Sequence, residues 1–168
     1  MDSADAADSM DAAFAPAIKS KLPWAAVLGN HDQESTMTRE ELMSYLSVMD
    51  YSMSMINPLS DDPIDRQRLT EVDGFGNYNI EVKGAFGSEL ENKSVFNLYF
   101  LDSGDKSTVP GIRGYGWIKE SQQAWLRDVS AVLQVGFLKW CAVETFDVFF
   151  EHISMPLHPD LSDLKVCF

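Results

Sequence analysis

The sequence predicts an α/β fold. Three observations carry this: a short apolar run, Trp24-Ala25-Ala26-Val27-Leu28, that stops at Gly29; a capped amphipathic segment starting at Thr38; and a nearly continuous apolar run from Val95 to Leu101. The first and third have strand length, whereas the second repeats at helical spacing.

In chain order, Asp5 to Ile18 sets alanines, Met10, Phe14 and Ile18 at helical spacing, an amphipathic helix that Pro16 is expected to end early. Asp2, Asp5, Asp8 and Asp11 suit its N-terminal half, where the helix dipole favours negative charge. Pro23 precedes the 24–28 run, which reads as a buried strand opening into a tight turn at Gly29. Thr38-x-x-Glu41 is a capping box, and Leu42, Tyr45, Leu46 and Met49 recur on one face of the helix it starts. Tyr51 to Ile56 alternates serine with larger side chains, as a strand does. Asn77 to Val82 and Val95 to Leu101 are further strands, the second central because its apolar run is almost unbroken. Residues 60–65, 73–77 and 102–116 are Gly-rich and Asp-rich loops. Ile118 to Val129 reads as a helix with Trp125 and Leu126 toward the core, and Phe146 to Phe150 as a final strand.

A chain of 168 residues with 45% hydrophobic content can bury one core. Its net charge of −13 and pI near 4.4 repel polyanions, and no basic cluster offsets them, so nucleic acid is excluded as a partner. No apolar run reaches the length of a membrane span, and the N-terminus lacks the basic region and apolar core of a signal peptide. Localisation stays unassigned: cytoplasmic if Met1 is the true start, secreted for a longer form that enters the secretory route. Asn92-Lys93-Ser94 is an N-glycosylation acceptor only on that route.

Chemistry concentrates at Gly29-Asn30-His31-Asp32. Glycine lets the backbone bend; Asn30 offers a neutral oxygen, His31 an imidazole and Asp32 a carboxylate, at the strand end where α/β proteins tend to bind ligands. The bland reading is a turn made by Asn30 and Asp32. Elsewhere the bland readings are preferred. Met43, Met49, Met53 and Met55 fill core, and Asp102-Ser103-Gly104-Asp105 is a turn rather than a cation loop. His158 is exposed, and Cys141 and Cys167 lack zinc or redox spacing.

Asn30-His31 behind an apolar strand resembles the Asn-His motif of the calcineurin-like metallophosphoesterases. The run from Pro23 to Thr36 is similar to the plant purple acid phosphatase-like branch, as are Asp73-Gly74-Phe75-Gly76-Asn77-Tyr78, Phe100-Leu101-Asp102-Ser103-Gly104-Asp105 and Tyr115-Gly116-Trp117-Ile118-Lys119-Glu120-Ser121-Gln122. The resemblance runs from about Asp5 to about Ser130. It implies a four-layer sandwich of two mixed sheets flanked by helices, and hydrolysis of small phosphate monoesters by a dinuclear centre, iron paired with zinc, manganese or iron. Two cations roughly 4 Å apart hold the phosphate and lower the pKa of a bound water. By the resemblance Asn30 is a metal ligand through its amide oxygen, His31 is catalytic and stabilises or protonates the leaving alkoxide without binding metal, and Asp32 is an orienting group behind the metal ligands.

The same resemblance implies blocks this chain lacks. The Asp and Gly-Asp blocks would lie upstream of Met1, and no Gly-His pair supplies the last histidine ligands. Phe149 to Pro156 echoes the Phe-Phe-His-Ile-Pro wording with insertions, which makes His152 a further metal-ligand candidate. Composition shifts near Ala131, beyond which lie both cysteines and two of the three histidines. The expectation is a partial phosphoesterase domain over 1–130 followed by a divergent segment, 131–168, in a truncated or spliced product or an imperfect gene model. An ordinary divergent C-terminus is the alternative. One ligand cannot hold two metals, so the chain is expected to be an inactive form, or else a non-catalytic acidic interaction protein.

Overall fold

The computed structural model describes residues 6–58, 72–133 and 140–143. Helix α1 spans Ala6–Ser20, with Asp8 in its first turn and Lys19 in its last, each matched to the dipole. It runs through Pro16 instead of ending there. Ala12 and Pro16 both lie on the exposed face, where water can take the carbonyl that the missing proline N–H leaves over. Ala6, Met10 and Phe14, four residues apart, face inward, and the Phe14 ring stacks on Trp24 at 4.4 Å.

Helix α2 spans Arg39–Ser47 and starts at the expected capping box: the Thr38 side chain accepts from the Glu41 amide, and the Glu41 carboxylate accepts from the Thr38 amide at 2.8 Å. Leu42, Met43 and Leu46 are buried, and Tyr45 donates to Asp11 of α1 at 2.8 Å.

The strands expected at 24–28 and 51–56 shrink to one parallel bridge between Trp24 and Ser52. Pairing begins, with the Trp24 amide on the Tyr51 carbonyl at 3.1 Å and the Met53 amide on the Trp24 carbonyl at 2.7 Å. It then stops because side chains occupy the next backbone groups. The Ala26 amide donates to Ser54 Oγ at 2.9 Å, and the Ala26 carbonyl accepts from Tyr78 Oη at 2.5 Å. The run is extended and half-buried but is not a sheet strand.

Strand β1 (Tyr78–Lys83) pairs antiparallel with β2 (Ser94–Phe100), Tyr78 opposite Phe100, and those two rings stack at 4.5 Å. Helix α3 spans Glu120–Leu133 and buries Trp125 and Leu126 as expected. Strand β3 (Trp140–Val143), not anticipated from sequence, lies parallel on the other edge of β2. The β2 run is therefore central, as its apolar composition implied. Alternation along β1 and β2 splits the core between two faces. Tyr78, Ile80 and Phe100 pack with Ala6, Leu28, Leu42, Met43 and Leu46; Tyr99 and Leu101 pack with Val72, Ile118, Trp125 and Leu126. Helices thus cover both faces of a small mixed sheet. The loop expected at 60–65, the strand at 146–150, and His152 and His158 lie outside the described residues. No described helix is long and apolar enough to cross a membrane.

Candidate functional site

Below Gly29 the extended run leaves the core at Leu28, 2% exposed, and turns back on itself. The Gly29 amide donates to Asp32 Oδ2 at 2.5 Å and the Glu34 amide to the His31 carbonyl at 2.9 Å. Asp32 therefore closes the turn through the backbone. Asn30 is buried, whereas His31, one residue on, is exposed.

Beneath the turn lies a polar network that sequence reasoning did not find. Arg39, the first residue of α2, reaches back so that Nη1 donates to the Gly29 carbonyl at 2.7 Å and Nη2 to the Leu28 carbonyl at 3.4 Å. Its Nε donates to Asp102 Oδ2 at 3.2 Å, and its Nη2 makes a close ion pair with Asp102 Oδ1. Asp102 sits just past β2 and also accepts from the amides of Phe75 at 2.8 Å and Gly104 at 2.9 Å. The Gly104 bond is the expected turn, to which the structure adds the buried charge pair. Asn77 Oδ1 accepts from the Asp102 amide at 3.1 Å and from Gln122 Nε2 of α3 at 2.7 Å. Gly74 must be glycine: its φ is +85°, and a Cβ would stand 2.9 Å from Asp102 Oδ2. A signal was present in the sequence. Arginine in the first turn of a helix opposes the dipole, so it implies a tertiary partner.

Above the turn a second, solvent-facing group assembles. His31 Nδ1 lies 3.2 Å from Glu34 Oε1, and Glu34 Oε1 lies 3.3 Å from Lys106 Nζ. Tyr115 Oη lies 3.1 Å from His31 Nε2, with the rings edge to face at 5.5 Å. Lys106 and Tyr115 arrive together, because they face each other across a short antiparallel bridge closed by the Gly116 amide on the Asp105 carbonyl at 2.5 Å. Hydrogen bonds from His31 and then Lys106 hold the Glu34 carboxyl below the ordinary glutamate value.

Asn30, His31 and Asp32 thus share one turn; His152 lies outside the described residues. Asn92 is exposed in the β1–β2 loop at φ 61°, a conformation asparagine tolerates. Among the described residues no three His, Cys, Asp or Glu side chains come together to hold a metal. The carboxylates nearest the turn are already engaged, Asp32 by the Gly29 amide, Asp102 by Arg39, and Glu34 by Lys106 and His31. By themselves the described residues do not fit a dinuclear metal centre, which needs several anionic or imidazole donors.

Sequence comparison relates this chain to known proteins. An Arabidopsis thaliana protein named probable inactive purple acid phosphatase 28 is 57% identical over 126 residues, which cover 75% of this chain and 32% of that protein. A second, probable inactive purple acid phosphatase 29 of the same plant, is 52% identical over 77% of this chain and 32% of its own length. Phosphatase DCR2 of Saccharomyces cerevisiae is 42% identical over 69% of this chain and 18% of its own length. The chain spans about a third of the length of the Arabidopsis relatives it matches. No protein-family model and no solved structure matches it.

Proposed function

The chain is related to the purple acid phosphatase-like branch over a stretch equal to about a third of those proteins, and from that premise we propose that it carries the Asn-His segment of a phosphomonoesterase site without assembling a two-metal centre by itself. In this reading Asn30 offers its amide oxygen to a divalent metal, His31 faces the leaving oxygen of a small phosphate monoester, and Asp32 keeps the turn in shape. The sheet and helices are one part of a four-layer sandwich, with 1–130 as the phosphoesterase-like unit and 131–168 as a divergent end.

The observation that carries this reading is the pairing of a buried amide at Asn30 with a half-exposed imidazole at His31 at the end of an apolar segment. Support for the inactive half comes from the engaged carboxylates around the turn and from the word inactive in the names of both Arabidopsis relatives. A second reading, a non-catalytic acidic interaction protein, draws on the net charge of −13 and on the exposed side chains of Leu22, Val48 and Phe86.

Titrating zinc, manganese or iron(II) into the purified chain while following hydrolysis of an aryl phosphate tests the proposal. The expected result is weak binding and no hydrolysis above a metal-only blank. Two tightly held metals per chain, with hydrolysis lost in Asn30→Ala and His31→Ala, would uphold the site assignment and overturn the inactive half.

A further inference from the structure

His31 is held at both ring nitrogens by residues to which the sequence alone assigns no role, and four residues close a ring, three of its links through side chains and the fourth through a backbone bridge. Glu34 meets Nδ1, Lys106 meets Glu34, the hairpin bridge sets Lys106 beside Tyr115, and Tyr115 meets Nε2. A carboxylate oxygen can only accept, so the Nδ1 contact requires a hydrogen on Nδ1. In a neutral ring Nε2 then carries the lone pair and accepts from the Tyr115 hydroxyl.

We infer that Glu34 is the positioning residue of His31, fixing the imidazole so that Nε2 points toward Tyr115, whose hydroxyl occupies the place a substrate oxygen would take. This rests on the reading of His31 as the group that faces the ester, and it adds the residues that aim it. Glu34 is suited to the task because it lies one turn on, its amide already bonded to the His31 carbonyl at 2.9 Å, so only its side chain must be ordered. Lys106 supplies that order from the far side of the chain. Tyr115 shares the hairpin with Lys106, so a movement of that hairpin would uncover Nε2 and release Glu34 together.

The inference is tested without metal or substrate, by long-range ¹H–¹⁵N correlation of the histidine rings in alkaline buffer, where imidazoles are neutral. Changing Glu34→Ala should lower the ratio of Nδ1–H to Nε2–H tautomer at His31 about two- to five-fold, the size of an exposed charge-assisted contact. In Glu34→Gln, whose amide oxygen still accepts, most of the wild-type ratio should remain. Tyr115→Phe should move the Nε2 resonance and leave the ratio nearer to wild type. An unchanged ratio in Glu34→Ala, or an equal loss in Glu34→Gln, would overturn the inference. Glu34 and Tyr115 are each about half exposed, so these variants should fold, which circular dichroism checks. Failure of the metal and phosphate reading would leave this outcome untouched, because neither ligand is in the sample.

Discussion

Beneath the Gly29–Asp32 turn, the side chains of Arg39 and Asp102 are 6% and 0% exposed; above it, those of His31 and Glu34 are 50% and 48% exposed. Both sides are built from an ion pair and neighbouring polar groups, yet the two differ in what water does to them. On the buried side water cannot replace a lost partner, so each group is tied to several others and the network spans α2, the end of β2 and α3. On the exposed side water replaces any partner at little cost, so the same kinds of residue stay available for exchange. One turn therefore has a fixed underside and a solvent-facing surface.

The largest effect that would break or sharpen this contrast is Asp102→Ala. Leaving the Arg39 guanidinium buried and unpaired should cost about 3 to 5 kcal/mol in denaturant unfolding. His31→Ala on the other side should change stability by no more than about 0.5 kcal/mol. Comparable values for the two would erase the distinction.

Next in size is Gly74→Ala, which forces a side chain into a left-handed backbone position and against Asp102 Oδ2. The expected loss is about 1 to 3 kcal/mol, read from the same unfolding curves. Tyr78→Phe removes the hydroxyl that closes the Ala26 carbonyl and should cost about 1 to 2 kcal/mol.

That hydroxyl also predicts a pH dependence. Burial pushes the Tyr78 phenol up to about 12, which favours its neutral form in the fold. The stability so gained is whole below the ordinary tyrosine value and is lost as pH rises from there through about 12, a loss Tyr78→Phe should lack. The smallest effect belongs to Glu34. Its lowered pKa means that the contribution of the upper ring is present above the ordinary glutamate value and disappears only as pH falls through the lower folded value. Titration of the Lys106 and Tyr115 resonances in acid should follow that carboxyl, with little change in global stability.

How much of this was legible depended on how local each cause was. The Thr38–Glu41 box, the buried Leu42 and Leu46, and the central place of β2 follow from residues close in sequence or from one unbroken apolar run. The run at 24–28 was misread as a strand because what ends its pairing lies far away, in the Ser54 and Tyr78 side chains. Asn30 and His31 could be singled out by residue type and order. The pair beneath them could not, since Arg39 and Asp102 stand 63 positions apart, and only the misplaced charge at the start of α2 pointed to it. Glu34, Lys106 and Tyr115 are ordinary loop residues until the 105–116 hairpin brings two of them over the turn.

The central claim is that the turn is fixed from below and open above, and native-state hydrogen exchange measures this directly. The amides of Phe75, Asp102 and Gly104, bonded within the buried network, should exchange through near-global unfolding, at least about 100-fold more slowly than the Glu34 and Ser107 amides of the exposed side. Similar protection in the two sets would contradict it, because the underside would then open as readily as the surface it is held to support.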